Sequence, residues 1–290
     1  MEQLTENVYC KTFARKHKDE LPVNVYLLKQ EKILIDVGPA DIETNYMDLK
    51  QDLTNVGVSL DDLNAIILTH HHSDHCGMLS FIEPNIKIIG PKNISYYMGN
   101  KYLSDVDKYI EELELPRSFK NDIQSVWYEE KLDQITNNEI VSSNQEVEFL
   151  SEYGIRIIEM SGHSKCDLII SDHEGNIFSG DIVIPGVFFN CIVEPNFTDR
   201  SGYYKELDFF SNIDGFVFPG HGEKLDAEKL SKAINVTLKR MQRTEKKVLR
   251  AYNEVGMDIG SICNQVFGRF IQYSYFLPFS EVISVLSNNQ

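Results

Sequence analysis

The sequence lacks the features that mark several whole classes of protein. Its five cysteines, Cys10, Cys76, Cys166, Cys191 and Cys263, are odd in number and never spaced Cys-x-x-Cys. That excludes a disulfide framework and a thiolate zinc knuckle, and points to a reducing cytoplasm. No run approaches the roughly 18 consecutive apolar residues of a membrane span, and the opening MEQLTENVYCKTFARKHKDE has no apolar export core. Neither export nor insertion is expected. Basic charge is scarce: 28 Lys and Arg stand against 44 Asp and Glu, a net charge of −16. So acidic a surface repels phosphate backbones and anionic headgroups, and nucleic acid and membrane are not expected as partners. Linkers rich in Pro, Gly or Ser, repeats and low-complexity tracts are also missing. What is present is a globular composition, 42% hydrophobic and 25% charged over 290 residues, with room for a sizeable core.

Apolar patterning sketches the elements. Val23 to Leu28 and Lys32 to Asp36 read as a strand hairpin ending at the Gly38-Pro39 turn. Tyr46, Leu49, Leu53 and Val56 recur at helical spacing within Asn45 to Val56. Further strands are expected at Ala65 to Leu68 and Ile86 to Ile89. From about residue 91 to 145 the chain turns tyrosine- and charge-rich, with helical patterns at Ile94 to Tyr102, Val106 to Leu115 and Phe119 to Leu132, which reads as a helical insertion. Strands return at Val147 to Leu150, Ile155 to Glu159, Leu168 to Ser171, Asn176 to Phe178 and Gly215 to Phe218. A long amphipathic helix from Asp226 to Tyr252 and a partly apolar helical tail close the chain. Strands alternating with helices in this way imply a layered α/β protein.

The histidines carry the strongest signal. Four of the eight, His70, His71, His72 and His75, fall in one loop, THHHSDHCG. In an extended segment His70 and His72 share a face and His71 points elsewhere. A turn into helix near Asp74 brings Asp74 and His75 in from a second angle, so one loop can feed two metal positions. Two first-row metals need further ligands, and candidates sit at strand ends beside glycines: His163 in SGHS, Asp181 in SGD and His221 in PGHG. Imidazoles and carboxylates without thiolates suit zinc, iron or manganese. His17, His71 and His173 fit no ligand pattern and are expected at the surface or behind the ligands. Cys76 and Cys166 are expected to be small buried residues supporting the loop, with a nucleophilic thiol as the alternative.

THHHSDHCG, SGHS, SGD and PGHG, in that order after an early strand ending ILIDVG, resemble the metallo-β-lactamase superfamily over about Tyr9 to Glu223. The resemblance implies a four-layer αβ/βα sandwich, here with the helical insertion and a C-terminal helical extension. Residues 1–225 would form the catalytic domain and residues 226–290 would pack on it. By position, His70, His72 and His163 would hold one divalent metal, Asp74, His75 and His221 a second, and Asp181 would bridge them, with Asp36 behind to steady the histidine loop. Zinc is the first expectation, with iron or manganese as alternatives. An aspartate at 181 argues against antibiotic hydrolysis, because one large class of the β-lactamases carries cysteine there and another lacks the bridging aspartate. The set instead is similar to those of glyoxalase-type thioesterases, lactonases, phosphodiesterases and nucleases, and −16 charge disfavours the last. The insertion and the tail are similar to those of acyl- or aryl-thioester hydrolases of the quinolone signal response type, where such helices either cover the active site or form a homodimer contact.

The expected activity is therefore hydrolysis of a small thioester or ester, such as an acyl- or aryl-CoA-like thioester or a lactone, by a hydroxide held between two cations. Asp74 and Asp181 are the expected catalytic carboxylates, Asp74 as proton shuttle. Phe188, Phe189, Ile192 and Phe197, in the Pro- and Gly-punctuated stretch after Asp181, are expected to line an apolar substrate pocket. Tyr96, Tyr97, Tyr102 and Tyr109 would either form a lid or simply pack helices. The rivals are a phosphodiesterase, an iron-dependent dioxygenase, and a metal-retaining regulatory protein with incidental turnover.

Overall fold

The computed structural model describes residues 1–16, 20–83, 85–112, 117, 120–121, 139–186, 200–213, 215–268 and 276–288. The first half of the chain builds a seven-stranded sheet whose spatial order follows the chain: β1 (Glu2–Gln3), β2 (Val8–Phe13), β3 (Val23–Leu28), β4 (Ile33–Ile35), β5 (Ala65–Ile67), β6 (Ile88–Gly90) and β7 (Ile140–Ser142). Neighbours are antiparallel as far as β4 and parallel from β4 to β7. Local connections suffice for the antiparallel strands; the parallel ones need crossovers, and α1 (Asn45–Asn55), α2 (Ser73–Cys76), α3 (Ile94–Tyr97) and α4 (Asn100–Glu112) lie in them. Beyond α5 (Val147–Glu152), β8 (Arg156–Met160), β9 (Asp167–Ser171), β10 (Ile177–Gly180) and β11 (Val217–Pro219) make a second sheet in the order β11-β10-β9-β8.

Alternation along the strands sorts the core into layers. Tyr26, Leu28, Ile33, Ile35, Ile67 and Ile89 of the first sheet meet Leu168, Ile170, Phe178 and Phe218 of the second. The residues between them, such as Val25, Leu27, Leu34, Ile66 and Ile88, face the other way into helices. On the far side of the second sheet, Ile169, Ile177 and Val217 pack against α6 (Arg200–Phe210) and α7 (Ala227–Val255). This helix–sheet–sheet–helix order is the expected αβ/βα sandwich. Both faces of the central strands are covered, which is why they read as continuous apolar runs rather than alternating ones. Among the described residues no helix is long and apolar enough to cross a membrane.

Several elements differ from the pattern reading. Val147 to Leu150, expected as a strand, is helical: Leu150 N–H donates to Glu146 C=O over 2.9 Å. Four residues, Val-Glu-Phe-Leu, are too few for their period to decide, and only Leu150 of the pair Val147 and Leu150 is buried. β2 has no counterpart in the pattern reading: Val8, Cys10 and Phe13 are buried but Thr12 is exposed, so its burial does not alternate strictly. The insertion holds a strand, β7, at the sheet edge, and the helix expected over Ile94 to Tyr102 is two, broken at Met98 and Gly99. Apart from residues 120 and 121, the helix expected at Phe119 to Leu132 lies outside the described residues, as does the end of that at Val106 to Leu115. The long C-terminal helix starts as expected at its cap, Asp226, which accepts the Lys229 N–H at 2.8 Å, and runs to Val255, past the expected end at Tyr252.

The tail, α8 (Ile259–Phe267) and α9 (Phe276–Asn288), joins the core on the first sheet's outer side through Ile262, Cys263, Phe279 and Val282. It is pinned by a buried charge. Arg200 at the start of α6 is fully enclosed; its Nη1 donates to Glu281 Oε1 at 2.8 Å and Ser284 Oγ at 3.2 Å, and its Nη2 donates to Met241 C=O at 3.0 Å. One guanidinium thus ties α6, α7 and α9. Glu281→Ala removes its close counter-charge and is expected to lower the unfolding free energy by about 3–5 kcal/mol, read as a fall in the urea midpoint with unchanged slope.

Candidate metal centre

β5 leads into Thr69 to His72, where the chain bends at Thr69 and His71, and His72, extended at φ −65° and ψ 146°, caps the four-residue helix α2. This backbone turns the rings of His70 and His72 to within 4.5 Å of each other and places His75 4.2 Å from His70. Asp74 comes in from the first turn of α2. The second sheet supplies the rest: His163 follows β8, Asp181 follows β10 and His221 follows β11. All seven predicted ligand residues meet at one end of the two sheets. His72 Nδ1 and His163 Nε2 are 3.2 Å apart. Asp181 lies between the groups, Oδ1 3.2 Å from His75 Nε2 and Oδ2 3.2 Å from His221 Nε2 and 3.7 Å from His163 Nε2. Asp74 Oδ2 is 3.3 Å from His221 Nε2. Three donor triads able to hold an ion emerge: His70, His72 and His163; His70, His75 and Asp181; and Asp74, His75 and His221.

The outward-facing atoms fix which ring nitrogen faces inward. Asp36, held at φ +59° just past β4, accepts the Thr69 N–H at 2.7 Å on Oδ1, and the Thr69 hydroxyl and His75 Nδ1–H at 2.8 Å each on Oδ2. With its only proton given to Asp36, the Thr69 hydroxyl can only accept from His70 Nδ1, 3.0 Å away. His221 Nδ1 donates to Pro22 C=O at 2.8 Å. Each of these rings thereby keeps its Nδ1 proton outward and aims Nε2 inward, as the atom a cation would take. The loop carrying His163 is held by Asp167, which accepts from Gly162 N, Ser164 N and Ser164 Oγ. Burial lifts the Asp167 carboxyl to about 6, against the pull of His163 and these hydrogen bonds. Gly220 is needed for its size: a Cβ there would collide with Asp181 Oδ1 and lie 2.6 Å from His75 Cε1.

Whether a cation suits this cluster can be judged from the atoms themselves. His70 Nε2, His75 Nε2 and Asp181 Oδ1 are buried with no hydrogen-bond partner, and such orphans cost free energy unless something binds them. Burial and the charges of His75 and His72 pull His70 well below its usual value. Although burial opposes it, the carboxylates of Asp181 and Asp74 lift His75 well above and His221 to about 10. Asp74 and Asp181 are in turn held low by His75 and His221, again against burial. Five imidazoles and two carboxylates converging, with no thiolate among them, fit first-row divalent cations.

The other predicted residues sort clearly. His71 points away from the cluster: buried, with its ring 4.9 Å from that of Tyr97 and Nδ1 3.3 Å from Cys166 Sγ. Cys76 Sγ donates to His71 C=O and His72 C=O at 3.1 Å each, so both thiols brace the loop. His173 is exposed, 3.2 Å from Glu31. Tyr97 and Tyr102 are buried in helix packing behind His71, and Tyr96 donates its hydroxyl to Asp105. His17, Cys191 and the pocket residues Phe188, Phe189, Ile192 and Phe197 lie outside the described residues. The pattern reading missed Thr69, which relays Asp36 to His70, and Arg15, whose Nη1 is 3.0 Å from Asp74 Oδ2. The adjacency of Thr69 to the motif was the available signal for the first; none existed for the second.

A double-sheet sandwich with a His/Asp cluster across its strand ends defines a metallo-hydrolase class. The chain belongs to the metallo-beta-lactamase superfamily, whose family model matches residues 19–221. It is 30% identical over 279 residues, 89% of this chain and 85% of the relative, to a Bacillus subtilis (strain 168) protein named "Probable metallo-hydrolase YqjP". Among solved structures it is similar to a beta-lactamase domain protein from Burkholderia ambifaria (TM-score 0.75, 15% identity, 99% of this chain and 86% of that one). A metallo-beta-lactamase family protein from Thermus thermophilus is comparable (TM-score 0.69, 17% identity, 99% and 94%). Removing the Asp36 carboxylate frees Thr69, His70 and His75 together, so Asp36→Ala is expected to weaken zinc retention by about 10–100-fold, measured by competition with a chromophoric chelator.

Proposed function

We propose that this metallo-hydrolase is binuclear and cleaves a small-molecule thioester or ester, such as an acyl- or aryl-CoA-like thioester or a lactone. In this reading His70, His72 and His163 hold one divalent cation and Asp74, His75 and His221 a second. Asp181 is shared between them, and Asp36 orients the histidines from behind. The observation that carries it is the position of Asp181, with one carboxylate oxygen toward His75 and the other toward His221 and His163. Zinc is the favoured ion, with iron or manganese compatible with the same donors. Thiols at Cys10, Cys76, Cys166 and Cys263 support a reducing, cytoplasmic setting. The acidic net charge supports a small-molecule substrate over nucleic acid.

Two cations at these donors supply a water with its pKa lowered to about 7 and a Lewis acid for the scissile carbonyl. The chain's own part is to orient the donors and to move protons. His70, His75 and His221 keep their Nδ1 protons on outward acceptors, so on His75 and His221 the proton that a cation displaces is the one on Nε2 facing the carboxylates. Of the two carboxylates, Asp74 is the more open, its side chain 16% exposed against 7% for Asp181. Asp74 is therefore the group that can exchange a proton with the leaving group or solvent, whereas Asp181 is a fixed donor.

The expected result is thioester or ester turnover with the redox-inactive zinc form when acyl-CoA, acyl-glutathione, lactone and bis-aryl phosphodiester substrates are compared after zinc, iron or manganese loading. Turnover that needs iron and consumes oxygen, or preference for the phosphodiester, contradicts the reading, as does no turnover with metals fully bound. Asp74→Asn should lower kcat by about 10²-fold in protein that still holds its metal, and full turnover with both ions retained would remove the proton-shuttle role.

A further inference from the structure

We infer that Arg15, on the loop joining β2 to β3, is a positioning residue that sets the affinity of the second cation by holding Asp74; the inference rests on the binuclear reading above. Its guanidinium meets three carboxylates at once: Nη1 is 3.0 Å from Asp74 Oδ2, Nε 2.9 Å from Asp41 Oδ2 and Nη2 3.3 Å from Glu20 Oε2, with the side chain only 15% exposed. Asp41 Oδ2 also accepts the Lys16 N–H at 3.0 Å, which fastens this carboxylate to the same loop. Among the described residues the ion-pair partners of Asp74 are Arg15, His75 and His221. Two of those are themselves proposed donors to the second cation, so Arg15 is the partner that holds Asp74 from outside. Asp74 needs such a hold, because it stands on a helix of four residues, Ser73–Cys76.

The same loop ends at Pro22, whose carbonyl fixes the tautomer of His221. One hairpin loop therefore steadies two of the three donors of the second group from outside. His70 is steadied from elsewhere, by Thr69 and Asp36, and the His163 loop by Asp167. A guanidinium beside a metal ligand acts in two opposite senses: it repels the incoming cation and it orients the ligand. Here Asp41 and Glu20 largely cancel its charge on the sides away from Asp74, so the orienting effect wins, and an unheld carboxylate must lose side-chain freedom when it binds.

The test is stepwise metal titration of the full chain, after chelation, with zinc by chelator competition and with cobalt by its d–d spectrum. In Arg15→Gln the second equivalent should bind about tenfold or more weakly, while the first keeps its wild-type affinity. Asp41→Asn, which touches Arg15 but not Asp74, should weaken the second equivalent in the same direction, and the double variant should be no worse than Arg15→Gln alone. Arg15→Lys should recover part of the loss. A second equivalent unchanged or tighter in Arg15→Gln overturns the inference, as does equal weakening of both equivalents with a lower melting temperature of the metal-free protein. Uptake of fewer than two equivalents by the wild type refutes the binuclear reading itself, and the inference with it.

Discussion

Five imidazoles and two carboxylates crowd into one enclosed space, and the electrostatics of that crowding governs the rest. Taking an ionised carboxylate out of water costs several kcal/mol unless it is paired, and here Asp74 and Asp181 are paired chiefly with imidazoles whose protons a bound cation would replace. Asp36 resolves the conflict on the outer side. It accepts from Thr69 twice and from His75 once, and through the Thr69 hydroxyl it reaches His70. One buried carboxylate thus dictates the protonation of two rings. The price is local strain, since Asp36 adopts φ +59°, unusual for a residue other than glycine.

The sandwich exists to bring this about. The first sheet contributes Asp36 and the residues from 70 to 75, the second His163, Asp181 and His221, and neither sheet alone holds more than part of the set. Their apposition is fixed by the inner core around Tyr26, Phe178 and Phe218, whose rings lie 5.1–5.6 Å apart. Tyr26 adds a polar stitch, its hydroxyl donating to the Pro219 carbonyl at 2.7 Å, and Asn24 Nδ2 reaches the same carbonyl at 3.1 Å. These bonds anchor the β11 end, and with it His221, to β3. The glycines at 180 and 220 then let strands and side chains approach where a methyl group would collide.

Much of the site was legible in the sequence because its densest part is local. His70, His72, Asp74 and His75 are close neighbours in the chain, and the turn of helix that begins at Ser73 brings Asp74 and His75 in beside the first two. His163, Asp181 and His221 were legible only as glycine-flanked residues at strand ends; their meeting is a property of the fold. Arg15 was invisible, because nothing near it in the chain announces that Asp41 and Asp74 come to it. The short segment at Val147 deceived for a different reason: with one buried residue in four, period cannot separate strand from helix. The tyrosines of the insertion were ambiguous between lid and packing, and the structure places Tyr97 and Tyr102 in packing behind the histidine loop.

Anomalous diffraction at the zinc edge from crystals of the zinc-loaded protein would locate the cations directly. Two peaks should appear, one bounded by the imidazoles of His70, His72 and His163, the other by Asp74, His75 and His221, with the Asp181 carboxylate between them. A single peak, or zinc bound only away from these residues, would contradict a binuclear centre.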